Sequence, residues 1–225
     1  MPDSVRVVFL GGLGEIGRNC MAIEQGTGAD RSIVLIDCGL MFPDADMHGI
    51  DLVLPDFTYL RDNAEAITAL VATHGHEDHV GGIQFLLRDD DGIGHLRSEP
   101  LPIYGAELTL GLARNRIEEA RLLDRCDLRP VADNESVEIG PFTIEFIPVT
   151  HSVPHAHAIA VHTAQGIVLH SGDWKLDLTP VDRRTTDLGR LGQLTAGDGV
   201  RLLMGDSTNA EEPGYAPSET TVGSV

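Results

Sequence analysis

The 225-residue sequence has few cysteines, no long apolar run and no recognisable targeting segment. Its three cysteines (Cys20, Cys38 and Cys126) are scattered and odd in number, which argues against a disulfide framework or a cysteine metal site and favours reduced, buried thiols. No apolar run approaches the roughly 20 residues that a membrane-spanning helix needs. The first residues lack a basic region followed by an apolar core, so we expect a cytoplasmic protein.

Basic residues are also scarce. Lysine and arginine number 16 against 35 acidic residues, which gives a net charge of −19. This balance argues against a protein that binds nucleic acid through a basic face alone. An acidic chain is well suited to binding cations, since clustered carboxylates are good ligands for hard metal ions. The densest run, Arg88–Asp91, is typical of a solvated loop.

The apolar pattern predicts an α/β protein. With 42% hydrophobic residues, the chain can bury a full core. The patterning predicts strands at Val5–Leu10, Met21–Glu24, Ser32–Asp37, Ile67–Thr73, Leu101–Tyr104, Ser136–Ile139, Phe142–Val149, Ala158–His162, Ile167–His170 and Val200–Met204. It predicts helices at Asp56–Ala66, Gly81–Arg88 and Ala106–Leu123, the last with apolar residues at helical spacing (Leu108, Leu112, Ile117 and Ala120). Hairpin-paired strands separated by helices indicate a layered α/β sandwich.

The segment from Gly12 to Gly17 reads G-x-G-x-x-G directly after an apolar run. With Asp37 twenty residues further on, it has the form of a dinucleotide-binding fingerprint. That fold needs a helix between its first two strands. The turn at Gly26–Asp30 instead predicts a hairpin, so we expect no nicotinamide or flavin nucleotide.

The strongest signal is "THGHEDHVGG", which places three histidines and two acids in six residues directly after a predicted strand. Imidazole and carboxylate are the ligands that zinc and related ions take. In an extended segment, His74 and His76 point to one side, and Asp78 and His79 can address a second ion. A two-ion site polarises its substrate and activates water near neutral pH.

Two further residues lie at strand ends where they could complete such a site. His151 follows the predicted strand Phe142–Val149, and Asp173 follows Ile167–His170 in "HSGDWKLD". A carboxylate such as Asp173 could bridge two ions. Either residue alone would more often be structural, but the His-rich segment makes both of them candidate ligands.

Six segments together resemble a known family: "FLGGLGEIGRN", "LIDCGLMFPD", "THGHEDHVGG", "THSVPH", "LHSGDWKLD" and "LMGDSTNAEEPGYAPSE". They run from near Val5 to Glu219. The chain resembles the metallo-β-lactamase superfamily and, within it, the ribonuclease J family of β-CASP nucleases. The His-rich motif indicates only the superfamily, whereas the glycine-rich opening together with "GDSTN" is more specific to ribonuclease J.

The resemblance implies a role for each matching residue. His74, His76 and His151 would hold one ion, Asp78 and His79 the other, with Asp173 between them. Asp37 would orient a histidine from behind the ligands. Asp206 would assist proton transfer, so that Asp78 and Asp206 are the predicted catalytic residues. Ser207 and Thr208 could contact substrate phosphate, although a plain turn is an equal alternative.

The resemblance also implies a fold, an activity and partners. The fold would be an αββα four-layer sandwich, incomplete at its C-terminus, with residues 1–210 forming the catalytic domain. Residues 211–225 would begin the connection into a β-CASP domain that the sequence does not contain. The cofactors would be two divalent ions, zinc or manganese. The activity would be endonuclease and 5′-to-3′ exonuclease cleavage of RNA with 5′-monophosphate ends, by a homo-oligomer without membrane contact.

Some alternatives stay open. Another hydrolase of the superfamily, such as a lactonase or thioesterase, would share the His-rich motif but need not contain "GDSTN". An inactive, truncated metal-binding fragment is the other alternative. The family has an acid after the proline of "HSxP", where this chain has Pro154-His155-Ala156-His157, which leaves the roles of His155 and His157 undecided. His162 and His170 are interpreted as sheet residues with satisfied hydrogen bonds.

Overall fold

The computed structural model describes residues 4–197 and 199–224. The chain forms two compact units, Met1–Pro130 and Val131–Val225. Each unit is built on one mixed β-sheet, and short helices flank the strands in the sequence. The predicted domain boundary at residue 210 stays a prediction.

The first unit contains a six-stranded sheet in the order β1-β2-β3-β4-β5-β6. The strands are β1 (Val5–Gly11), β2 (Cys20–Gln25), β3 (Ser32–Cys38), β4 (Ile67–Val71), β5 (Leu101–Gly105) and β6 (Cys126–Pro130). The first three strands pair antiparallel, as the predicted hairpin requires, and β3 to β6 pair parallel. Strand β6 was missed because its sequence, CDLRP, carries too few apolar residues to give a strand pattern.

The apolar runs of β3 and β4 form the centre of the first unit's core. Both strands are almost wholly buried, as expected for parallel strands covered on both faces. Strand β1, which has a similarly apolar sequence, lies at the sheet edge and is only half-buried. Its apolar sequence could not reveal this position, because pattern alone does not distinguish an edge strand from a central one.

The three helices predicted for the first unit are shorter in the structure, and a further short helix at Glu77–Val80 was not predicted. The helices are α1 (Thr58–Asp62), α2 (Glu77–Val80), α3 (Ile83–Leu86) and α4 (Glu107–Glu119). Helix α1 ends early because the side chain of Asn63 donates to the carbonyl of Tyr59, which satisfies one of the terminal carbonyls. The predicted helix Gly81–Arg88 starts only at Ile83, because the Gly82 amide donates to Cys38 rather than along the helix.

Of the four apolar residues predicted to line one face of α4, only Ile117 is buried. Leu108 and Leu112 are each 41% exposed, and the buried residues are Thr109, Leu110, Ala113 and Ile117. The side chain of Leu112 lies over the backbone of Gly75, where any Cβ would collide with it. Leu112 therefore covers the His-rich segment instead of entering the core.

The second unit contains a five-stranded sheet in the order β11-β10-β9-β8-β7. The strands are β7 (Ser136–Ile139), β8 (Phe142–Pro148), β9 (His157–Thr163), β10 (Gly166–His170) and β11 (Val200–Met204). Both predicted hairpins are confirmed, and β11 pairs parallel with β10. Helix α5 (Leu188–Leu194) was not predicted; Asp187 caps it by accepting from the amide of Arg190.

Two more expectations can be compared with the described residues. Cys20 and Cys38 are buried free thiols, as expected, whereas Cys126 is only half-buried. Among the described residues, no helix is both long enough and apolar enough to span a membrane.

Candidate metal centre

The His-rich segment leaves the buried end of β4 and turns into α2. His74 is fully buried, and its Nε2 lies 3.1 Å from Nδ1 of His76. His76 keeps an extended backbone, and the helical turn of α2 begins at the next residue. The extended part thus brings His74 and His76 together as predicted, whereas Asp78 and His79 are carried by a helical turn and not by a loop.

Asp37 lies behind this segment at the end of β3. Its carboxylate is 1% exposed and accepts hydrogen bonds from the amide of Thr73 (2.7 Å) and from its hydroxyl (2.8 Å). Nδ1 of His79 lies 2.7 Å from Oδ2 of Asp37. A histidine that donates Nδ1–H to a carboxylate keeps its Nε2 lone pair for a metal ion. The geometry therefore suits His79 as a ligand through Nε2.

Asn19 is a residue of this site that the sequence reasoning missed. Its Nδ2 lies 3.0 Å from Nε2 of His79, 3.1 Å from the carbonyl of Asp78 and 3.4 Å from the Asp78 carboxylate. The amide of Asn19 also donates to the same Asp78 carbonyl. Asn19 ends the segment "GGLGEIGRN", so a polar residue directly after a glycine-rich turn was the available signal.

Gly39 allows the chain that leaves β3 to pass directly under helix α2. A Cβ at this position would overlap the carbonyl of Asp78 and approach the amide of His79. The neighbouring Leu40 amide donates to Glu77 at 3.1 Å. A glycine is required because no side chain fits between these two backbones. The close approach fixes α2, and with it the side chains of Asp78 and His79, on the end of the sheet.

The glycine-rich segment that follows β1 is a structural turn. It joins two antiparallel strands, whereas a dinucleotide-binding unit joins parallel strands through a helix. Gly17 has a φ of 103°, and a Cβ there would press on Met41. Within the turn, Glu15 forms a two-point ion pair with Arg18, and this contact lowers the pKa of Glu15. The turn thereby delivers Asn19 to the His-rich segment.

In the second unit, the structure brings His151 and Asp173 together. Nε2 of His151 lies 3.7 Å from Oδ2 of Asp173, and the two side chains are 17% and 28% exposed. His151 lies in the loop between β8 and β9, and Asp173 follows β10. Thr150 and Lys175 form an isolated β-bridge that ties the two segments together beside these side chains.

Asp206 follows β11. It lies at the same end of the sheet as the segment after β10, because the two strands are parallel. The amide of Asp206 donates to the hydroxyl of Ser171 at 2.9 Å. Its Oδ1 accepts from the amide and the hydroxyl of Thr208. Ser207 and Thr208 are exposed, and Thr208 forms a side-chain turn with Asp206.

The other histidines have separate environments. His162 contacts Glu145 at 2.6 Å, and Nδ1 of His170 accepts from the amide of Gly172, so both are satisfied sheet residues as expected. His155 is exposed with a φ of 61°. His157 is buried, and its Nε2 lies 2.9 Å from Asp133.

The donor chemistry in each unit fits divalent metal ions. The first unit offers the imidazoles of His74, His76 and His79 and the carboxylate of Asp78, and the second offers His151 and Asp173. Within each unit, the neighbouring donor atoms lie within 4.8 Å of one another. Ligands of this kind, supported by a buried carboxylate such as Asp37, are typical of zinc and manganese sites.

Comparison with known families identifies the fold. Residues 13–185, more than three quarters of the chain, match the family described as the metallo-beta-lactamase superfamily. The chain belongs to this superfamily. Membership in it implies divalent metal ions, in agreement with the donors in the two units.

Similar proteins of the superfamily carry the name ribonuclease J. The chain is 45% identical to ribonuclease J of Synechocystis over 98% of its length, 44% identical to that of Mycolicibacterium smegmatis over 99%, and 41% identical to that of Thermus thermophilus over 98%. The predicted resemblance to ribonuclease J is therefore confirmed. The chain spans 32%, 37% and 37% of the lengths of these relatives, about a third in each case.

Solved structures support the same fold. A protein of unknown function from Enterococcus faecalis superposes with a TM-score of 0.64 at 18% identity, over 96% of this chain and 52% of the other. The metallo-beta-lactamase fold protein YhfI from Bacillus subtilis gives a TM-score of 0.51 at 21% identity, over 76% of this chain and 63% of the other. The predicted α/β class and metallo-β-lactamase fold are thus confirmed.

Proposed function

We propose that this chain is the metal-binding catalytic part of a nuclease that hydrolyses RNA phosphodiester bonds. The observation that carries the proposal is the 45% identity to a ribonuclease J over 98% of the chain. The imidazole and carboxylate donors supply the chemistry that such a hydrolase needs. Cleavage from 5′-monophosphate ends, assembly into a homo-oligomer and a cytoplasmic location belong to the same proposal, by resemblance to that family.

The proposed ligand assignment follows the resemblance and the donors of each unit. His74, His76 and His151 would hold one ion, Asp78 and His79 a second, and Asp173 would lie between them. Two bound ions, zinc or manganese, would activate water and neutralise the charge that develops on the phosphate.

The remaining residues orient donors and move protons. Asp37 would accept Nδ1–H of His79, which leaves the lone pair of Nε2 for the metal ion. Asn19 holds the backbone of Asp78 in place. In Asp206, both hydrogen bonds from Thr208 go to Oδ1, so Oδ2 is the oxygen that would take or give a proton during hydrolysis. Contact of Ser207 and Thr208 with substrate phosphate belongs to the same proposal.

Substitution of the ligands tests the proposal. His76→Ala or Asp78→Ala should abolish metal-dependent RNA cleavage while circular dichroism still reports a folded chain. His95→Ala and Asp91→Asn, at exposed positions, are the matched controls and should leave cleavage unchanged. The assay compares 5′-monophosphate and 5′-triphosphate RNA, with zinc or manganese, for the 225-residue chain and for the full product of its gene.

The outcomes separate the alternatives. Normal cleavage by either ligand variant would show that the site is wrongly assigned. Hydrolysis of a lactone or thioester without cleavage of RNA would favour another hydrolase of the superfamily. A chain that binds no metal and hydrolyses nothing would favour the inactive fragment.

A further inference from the structure

The loop that carries His151 is held closed by its own backbone at its base. Its eight residues, 149–156, connect β8 to β9, whose last register pair is Pro148 with His157. The amide of Val149 donates to the carbonyl of Ala156 at 3.1 Å. The carbonyls of Ala156 and Val149, at this base, also accept hydrogen bonds from a side chain in a distant part of the second unit.

That side chain is Arg184. Its Nη1 donates to the carbonyl of Val149 at 3.1 Å and to that of Ala156 at 2.9 Å, so one nitrogen spans the two ends of the loop. Its Nε and Nη2 donate to the two carboxylate oxygens of Asp133 at 2.8 and 2.6 Å. Four of the five guanidinium N–H donors are thus used, and the side chain is only 12% exposed.

Asp133 is in turn held by His157. Nε2 of His157 lies 2.9 Å from Oδ1 of Asp133, and the imidazole is 1% exposed with its ring edge-on to Phe146 at 5.7 Å. The hydrogen bond from His157 and the ion pair with Arg184 lower the pKa of Asp133, so the carboxylate stays ionised as the partner of the guanidinium. His157, which directly follows the loop, anchors this network in the sheet.

The segment that carries Arg184 also holds the residue next to His151. The amide of Thr150 donates to the hydroxyl of Thr186 at 2.9 Å, and the hydroxyl of Thr150 donates to the carbonyl of Arg184 at 3.4 Å. On its other side, the Thr150 carbonyl accepts from the amide of Lys175 at 2.9 Å. The residue directly before His151 is thereby tied both to the Arg184–Thr186 segment and, through Lys175, to the segment that carries Asp173.

We propose that Arg184, Asp133 and His157 form a clamp that positions His151 for metal binding. The inference rests on the proposed function, because it takes His151 and Asp173 as ligands. Only a guanidinium can span two carbonyls while pairing with a carboxylate through its other edge. The clamp holds His151 where its Nε2 lies 3.7 Å from Oδ2 of Asp173, so that both side chains would be available to hold one ion. The undecided residue His157 thus acts behind the ligand loop.

Metal binding by the purified chain tests the clamp. Arg184→Gln should weaken zinc binding, measured by competition with a chromophoric chelator, about 10-fold or more, as is typical when a partner behind a ligand is removed. Arg184→Lys keeps the charge but not the planar guanidinium with its several donors, and should lose a similar amount of zinc affinity. Cobalt substituted for zinc should show altered visible bands in both variants. Arg183→Gln, which removes the same charge at the exposed neighbouring position, should bind zinc normally.

Three results would overturn the clamp. The first is wild-type zinc affinity and wild-type cobalt bands in Arg184→Gln. The second is wild-type affinity in Arg184→Lys, since charge alone would then suffice. The third is a loss of affinity that only follows the unfolded fraction seen by circular dichroism. The variant His151→Ala tests the proposed metal site separately from the clamp. Normal zinc binding by this variant would show that His151 is not a ligand and would reject the site itself.

Discussion

Asp37→Asn replaces one oxygen of a fully buried carboxylate by an amide nitrogen of almost the same size. The native carboxylate accepts three hydrogen bonds, two from Thr73 and one from His79, at 2.7 to 2.8 Å. The new amide can still accept from the Thr73 amide through its oxygen. Its nitrogen faces the other two partners, so His79 must become an acceptor at Nδ1 and carry its proton on Nε2.

This change of tautomer removes the lone pair that the metal ion would use. We expect zinc affinity to fall about 10- to 100-fold, the usual range for loss of a carboxylate behind a histidine ligand. Stability should change less: charge-assisted hydrogen bonds become neutral ones, which costs about 1–3 kcal/mol of unfolding free energy. Zinc competition and urea unfolding of the metal-free chain measure the two effects separately.

Asp91→Asn is the control, because it removes the same charge from an exposed position in the predicted acidic loop. Unchanged zinc affinity in Asp37→Asn would refute the reasoning, since His79 would then not depend on Asp37 for its tautomer. A loss of stability far above 3 kcal/mol in the metal-free chain would also contradict it, because the amide would then fail to replace the carboxylate structurally.

Two further predictions follow from the two units. Gly39→Ala should displace α2 and lower both zinc affinity and unfolding free energy, because its Cβ would overlap the Asp78 carbonyl. The control is Gly111→Ala, where a Cβ meets nothing within 4 Å. Equal zinc affinities of the two variants in a titration would contradict the role of Gly39. Stability should fall as the pH drops below about 6.5, the ordinary pKa of histidine. Burial lowers the pKa of His157 despite the opposing hydrogen bond from Asp133, so unfolding takes up a proton there. His157→Gln should therefore flatten the loss of urea stability between pH 7 and pH 5, and parallel curves would disprove the assignment.

Asp133 also makes the folded chain less stable as the pH falls. Its pKa is lowered in the folded chain by His157 and Arg184, so its contribution is complete above the ordinary value of 3.8 and is lost as the pH falls further. Arg184 and His155 also act on His157, and both lower its pKa. All of these effects favour neutral over acidic conditions.

The sequence by itself determined where the hairpins, the candidate ligands and the described strands other than β6 are. Strand and hairpin patterns depend on residues close together in the chain, and so does a run such as "THGHEDH". The same locality explains the failures. The edge position of β1 and the buried face of α4 depend on what packs against each element, which no local pattern contains.

Only the tertiary structure decided which histidine Asp37 contacts and which other residues support the candidate ligands. Asp37 and His79 are 42 residues apart, and Asn19 and Asp78 are 59 apart. Arg184 reaches Asp133 across 51 residues. These contacts exist because strand ends far apart in sequence meet at one edge of a sheet, which a single sequence does not specify. The sequence contains the donor residues, and the folded backbone determines their spacing and the residues that hold them.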